Sequence, residues 1–167
     1  MILPLGALVL LVGPPAAGKS TLAAALVAAG EVAAGDVLST DTYREVLTGD
    51  ALELRQDRKV WAHVREQLTE RMVAGRTTVV DATNLFPRRR ARHIGVAREH
   101  GRQVVAIRFA VPAAELLARN ETRERRLRPN VVVTMAVEMD QHADLETLQA
   151  EDIDLVLDAD EVWRRVH

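Results

Sequence analysis

The chain has 167 residues, 48% of them apolar and 28% charged, a composition that fits one compact globular domain and excludes a disordered or fibrous chain. Aromatic residues make up only 3% and there is no cysteine, which argues against a nucleic-acid surface of stacked rings and excludes disulfides, thiolate metal sites and a cysteine nucleophile. The net charge of −2 conceals a division: residues 1–85 carry 8 Lys/Arg against 10 Asp/Glu, residues 86–130 carry 12 against 4, and residues 131–167 carry 2 against 10. A segment with eight surplus positive charges attracts polyanions within a Debye length of about 10 Å; the plainer alternative is a set of solvated helix faces.

In chain order, the apolar run Ile2–Val12 is too short to span a bilayer and has no Lys or Arg before Lys19, so it reads as a buried strand, regular over Ala7–Val12, and not as a signal peptide. Gly13 ends it, and strong helix formers follow over Lys19–Ala29. Val37–Ser39 is a short strand, Thr42–Leu47 one or two helical turns, and Leu54–Ala74 a long amphipathic helix with Val60, Val64, Leu68 and Met72 on one stripe. Thr77–Val80 is a strand, Pro87–His100 a helix with proline in its first turn, and Gln103–Val111 another strand. A helix begins over Pro112–Arg119, and the Arg-rich segment Arg123–Asn130 reads as a mobile flap. Val131–Ala150 is expected to be helical, Asp154–Leu157 a short strand and Ala159–Val166 a closing helix. This alternation predicts an α/β fold, a parallel sheet covered by helices on both faces, with ligands beyond the carboxyl ends of the strands.

Gly13-Pro14-Pro15-Ala16-Ala17-Gly18-Lys19-Ser20 matches the phosphate-binding G-x-x-x-x-G-K-S pattern where it must sit, between an apolar strand and a helix. Gly13 and Gly18 permit the turns that expose backbone N–H groups, those of Ala16 and Ala17 included, to phosphate oxygens. The helix N-terminus adds positive potential. Lys19 is then expected at the β and γ phosphates, Ser20 at Mg²⁺ and Thr21 near the helix start and an α-phosphate. Asp41, just past the second strand, is placed to accept the proton of an attacking hydroxyl, with Arg44 on the same side to hold an acceptor phosphate; alone, Asp41 reads as an ordinary helix N-cap. Asp81, at the next strand end, is a Walker-B-type acid or an orienting group, and Asn84 belongs to its loop. Among Arg88, Arg89, Arg90 and Arg92 no single residue stands out from a charged helix face. Arg119 and Arg123 share a helical face suited to closing over a triphosphate, unless they pair on the surface with Glu121 and Glu124. His63, without clustered partners, reads as structural, with an approach to the acceptor from the long helix as the alternative, and Trp61 and Trp163 read as packing residues.

Taken together, GPPAAGKST, LSTDTYREVL, VVDATN and ARNETRERRLRPNVV resemble the kinase module of bacterial polynucleotide kinase–phosphatases, within the wider class of P-loop 5′-OH polynucleotide kinases, over roughly residues 6–158. The resemblance implies a three-layer P-loop kinase fold in one domain, residues 1–167, with an Arg-rich lid at about 119–130. It implies ATP and Mg²⁺ as cofactors and transfer of the γ-phosphate to a 5′-hydroxyl of RNA or DNA. Lys19, Asp41, Arg119 and Arg123 would be catalytic, and Arg44, Asp81 and Asn84 would serve the acceptor. The metallophosphoesterase and ligase-like portions that often accompany the module are not in this sequence, so no phosphatase activity is expected of it. The partners implied are nucleic-acid 5′-OH ends, with no membrane and with homodimerisation left open; the expected compartment is the cytoplasm. The alternatives are a small-molecule or antibiotic hydroxyl kinase and a non-catalytic nucleotide-binding switch.

Overall fold

The computed structural model describes residues 2–49 and 57–167. Five parallel strands, β1 (Leu8–Val12), β2 (Val37–Ser39), β3 (Thr78–Asp81), β4 (Val104–Arg108) and β5 (Leu155–Asp158), form one sheet in the order β2-β3-β1-β4-β5. The central strand LVLLV is buried throughout, which explains its unbroken apolar run: helices cover both of its faces. Val9 and Leu11 enter one core with Leu22 and Leu26 of α1 (Lys19–Ala28), Leu116 of α5 (Ala113–Glu121) and Val162 of α8 (Ala159–Val166). Leu8, Leu10 and Val12 enter the other with Val64, Leu68 and Met72 of α3 (Asp57–Val73) and Ile94 and Ala97 of α4 (Pro87–Glu99). The result is the expected three-layer α/β arrangement of a P-loop kinase-like fold.

The sequence boundaries hold where a local signal sets them and shift where a partner does. β1 begins at Leu8 and not at Ile2: Pro4 has no N–H to contribute, and the amides of Ile2 and Leu3 donate instead to the Glu31 carboxylate at 2.7 and 3.0 Å. β4 stops at Arg108, opposite Val12, where its neighbour β1 ends, so Phe109–Val111 are not strand. The expected helix over 131–150 is two, α6 (Pro129–His142) and α7 (Leu145–Ala150), because Asp144 accepts the Thr147 amide at 2.7 Å and starts a new helix. The segment 123–130, expected as a flap, is tied to α5 by Asn120, whose side chain donates to Leu127 O at 2.9 Å and accepts from Leu127 N at 3.1 Å. The expected start of the long helix at Leu54 lies outside the described residues.

Candidate active site at the carboxyl ends of the strands

The loop between β1 and α1 is shaped by backbone geometry that few side chains tolerate. Gly18 has φ +98° and Ala16 φ +66°, left-handed conformations of the kind from which anion-binding backbone concavities are built. Helix α1 follows with no side chain capping its N-terminus and no acid in its first turn, leaving the helix-end amides to an anion. Gly13 has a different task from the one expected. Its N–H donates to Thr83 O at 3.0 Å, and a Cβ there would lie 2.7 Å from Phe109 Cβ, so it is a packing glycine that lets β1 pass close to its neighbours. The Ala17 amide is likewise turned inward, to Pro14 O at 3.3 Å, and its methyl group is buried. Lys19 is 9% exposed and donates from Nζ to Pro14 O at 2.7 Å. Burial lowers its pKa to about 8, despite the opposing pull of Asp81 and Asp41, and Arg123 adds to the lowering.

Across the loop, Ser20 Oγ donates to Asp81 Oδ2 at 2.7 Å. Burial raises the Asp81 pKa, while the Ser20 hydroxyl and the Lys19 charge act against that shift. Asp81 lies beside Ser39 in the β2–β3 register, and Ser39 begins α2 (Thr40–Thr48) by accepting the Thr42 amide on its own hydroxyl at 3.3 Å. Ser39, not Asp41, is therefore the N-cap. Asp41 stands in the first turn with its carboxylate exposed and accepts from Arg44 Nη1 at 2.8 Å. Arg44 is buried, and its Nη2 donates to Asp57 Oδ1 at 2.8 Å. The guanidinium is thus held by two acids at the side of the site served by α2 and α3.

Three residues there had no functional signal in the sequence beyond rarity or membership of a charge run. Asp57 Oδ2 accepts from Trp61 Nε1 at 3.0 Å, the Arg89 guanidinium lies 3.7 Å from the Trp61 ring centre, and all three line the same cavity as the phosphate loop. Half-exposed Phe86 joins them, so two of the few aromatic residues are concentrated here. Trp61 is a wall residue and not purely a packing one. Asn84, expected to serve the acceptor, lines the cavity and also clamps the loop: at φ +48° and 1% exposed, it donates from Nδ2 to Leu11 O at 2.8 Å and to Val80 O at 3.2 Å. Arg90 is wholly buried and ties this loop down through Asn84 O, Leu85 O, His142 O and Glu151. His63 packs edge-on against Tyr43, with ring centres 4.5 Å apart, and does not line the cavity.

From the other side α5 and the loop after it bring arginines over the phosphate loop. Arg119 Nη1 donates to Ala17 O at 3.3 Å while its Nη2 pairs with Glu115. Arg123 lines the cavity and acts electrostatically on Lys19. Arg125 reaches across to pair with Glu45 of α2. Ser20, Thr21, Lys19, Asp41, Arg44, Asp81, Arg119 and Arg123 thus converge on one cavity of about 570 Å³. Among the described residues there is no group of three or more acidic or histidine side chains able to hold a metal by itself, and no helix is long and apolar enough to cross a membrane.

Residues 8–148 match the family model AAA_33, an AAA domain. No curated protein matches the sequence. Among solved structures, the chain is similar to one in the Pnkp1/Rnl/Hen1 RNA repair complex (TM-score 0.72, 18% identity, 89% of this chain). It spans 47% of that chain, about half its length. A sugar kinase from Janibacter sp. HTCC2649 (TM-score 0.62, 19% identity, 95% of this chain and 91% of that one) is also similar. So is a gluconokinase from Sinorhizobium meliloti 1021 (TM-score 0.60, 15% identity, 98% and 91%). At these identities the likeness is one of fold.

Proposed function

This chain belongs to the AAA-domain family matched over residues 8–148, and from the geometry of its cavity we propose that it is an ATP-dependent phosphotransferase acting on 5′-hydroxyl ends of RNA or DNA. The observation that carries the acceptor side is the Asp41–Arg44–Asp57 chain beside Trp61 and Arg89. A carboxylate stands ready to take a hydroxyl proton, a fixed guanidinium lies next to it, and a ring and a second guanidinium stand nearby, the groups that a nucleotide's hydroxyl, phosphate and base call for.

The donor side supports ATP. A left-handed loop and an uncapped helix N-terminus suit a triphosphate, and Lys19 with Arg119 and Arg123 would offset charge on the transferred group. Mg²⁺ fits the donor set, since it is usually held by one or two protein oxygens together with substrate phosphates; Ser20 and Asp81, already joined at 2.7 Å, would hold it. When bound it would neutralise charge on the phosphate oxygens. In the reaction, Asp41 takes the proton of the acceptor hydroxyl, whose oxygen bonds to the γ-phosphorus as the bond to the β–γ bridging oxygen breaks and ADP leaves. The lid arginines exclude water, which would otherwise compete as acceptor.

A second reading, a small polyol acceptor, is favoured by the cavity volume of about 570 Å³ and by likeness to a sugar kinase and a gluconokinase along more than 90% of both chains. Incubation with ATP labelled at the γ-phosphate and a panel of 5′-OH oligonucleotides, mononucleoside 3′-phosphates, sugars and sugar acids separates the two. Label on oligonucleotides at much higher kcat/KM than on any sugar is the expected result. The reverse order overturns the nucleic-acid reading and leaves the kinase standing, and ATP binding with no labelled product from any acceptor leaves only a nucleotide-binding switch.

A further inference from the structure

A second hollow, of about 880 Å³, runs between α3 and α4 and shares Asp57, Trp61 and Arg89 with the reactive cavity. It is lined by one stripe of each helix: Arg58, Trp61 and Arg65 on α3, and Arg89, Arg92 and His93 on α4. These spacings of three, four and seven put the residues of each set on one helix face. The groove exists because the residues between the arginines are small, namely Ala62, Ala91 and Gly95. Among the described residues, Arg58, Arg65, Arg89 and Arg92 close no ion pair with a carboxylate, whereas Arg44, Arg90, Arg98 and Arg125 each do. Burial first, and then Arg89 and Arg92, lower the His93 pKa to about 4, and its buried Nε2 has no hydrogen-bond partner among the described residues. Among the described residues, the acids on this lining are Asp57, already engaged by Arg44 and Trp61, and Glu99 at the far end of α4.

We propose that this groove is the path of the acceptor strand, which leaves the reactive cavity past the Trp61–Arg89 pair and lays its phosphates against Arg58, Arg65 and Arg92. The inference rests on the nucleic-acid reading of the cavity and adds to it a second, sequence-independent binding site for single-stranded polynucleotide. Along α3, Arg58 and Arg65 are about 10 Å apart in axial rise, a span for more than one backbone phosphate. A sugar or a mononucleotide would never reach them.

The test uses the full chain with Trp163→Phe, which leaves Trp61 as the only tryptophan, alone and combined with Arg58→Gln, Arg65→Gln and Arg92→Gln, three exposed side chains whose loss spares the core. Titrations follow Trp61 fluorescence with a single strand of about ten nucleotides bearing a 5′-phosphate, with a dinucleotide bearing a 5′-hydroxyl, and with polyglutamate of matched charge. The long strand should quench Trp61 and bind at least about tenfold more tightly than the dinucleotide, with a log–log salt slope steeper by about 2 for three phosphate contacts. The triple substitution should erase that advantage and leave dinucleotide and ATP binding unchanged. A long strand that binds no better than the dinucleotide, an advantage that survives the triple substitution, or equal quenching by polyglutamate overturns the groove. If the dinucleotide is still phosphorylated in that case, the groove alone has failed. If no nucleic acid is phosphorylated while a sugar is, the acceptor reading fails and the groove with it.

Discussion

Lys19 shows how a single residue ties function to stability. Its pKa is about 8 in the folded chain against 10.5 as a free side chain, so between those values the unfolded chain binds more protons and stability rises with pH. At neutral pH the buried charge therefore costs up to about 3 kcal/mol. Lys19→Met should raise the melting temperature of the nucleotide-free protein at pH 7, with the gain shrinking as pH climbs from about 8 toward 10.5, while phosphoryl transfer falls by about 10²-fold or more. Thermal melts across pH check the first claim and labelled-ATP turnover the second; a loss of stability at pH 7 would mean that the charge is compensated by its neighbours. Asp41→Asn should reduce turnover by about 10²–10⁴-fold with ATP affinity kept. It should leave stability within about 1 kcal/mol, because Ser39 carries the cap, and melting of the protein with normal specific activity would refute the base. That the phosphate loop and Asp41 would face one cavity was legible in the sequence, because motif and strand end coincide. The inward turn of the Gly13 amide and the clamp made by Asn84 were not, because both depend on carbonyls some seventy residues away, Thr83 O and Leu11 O.

At the scale of elements, the arginine run at the start of α4 divides by helical phase. Arg90 points inward to Glu151 and the carbonyls of Asn84, Leu85 and His142, while Arg89, one residue earlier, lies over Trp61. No composition rule separates them; only the direction of the core does. Arg90 joins the β3–α4 loop to the end of α6 and to the residue after α7, so Arg90→Met should strand the Glu151 carboxylate and destabilise the fold by about 3–5 kcal/mol. Arg90→Met combined with Glu151→Leu should recover much of that loss, measured by denaturant unfolding; no recovery would mean that the bonds to the loop carbonyls dominate. The lid makes the opposite demand. Arg119 touches the phosphate loop and Arg123 lines the cavity, so a Lys at either position should raise the KM for ATP or lower kcat, since an ammonium lacks the planar fork. Wild-type kinetics in both Lys variants would reduce these arginines to surface pairs. Elements with a strong local signal, such as Val37–Ser39 and Ala159–Val166, were read to the residue. The break between α6 and α7 was hidden in an otherwise helical composition, because a single side-chain bond from Asp144 makes it.

Over the whole molecule, folding redistributes the charge that the sequence segregates. The basic middle segment and the acidic final segment are stitched together where Arg90 meets Glu151 and Arg98 meets Asp152 and Asp154, and Arg125 is engaged by Glu45 from the first segment. Part of the surplus read between residues 86 and 130 is therefore neutralised by the protein's own acids. Among the described residues, the cations left without a carboxylate along the acceptor side are Arg89 at the cavity and Arg58, Arg65 and Arg92 in the adjoining groove, two of them from outside that segment. If each meets one phosphate of a long single strand, the acceptor KM should rise with salt with a log–log slope of about 3, whereas the full surplus acting together would give about 6. The measurement is acceptor KM from low to moderate salt at saturating ATP, with strands of increasing length. Slope should grow with length and then level off once the groove is filled. Continued growth with length would assign the lid arginines to nucleic acid as well, and a KM indifferent to both salt and length would return the cavity to a small neutral alcohol, in keeping with its volume and with the sugar-kinase likeness of the fold.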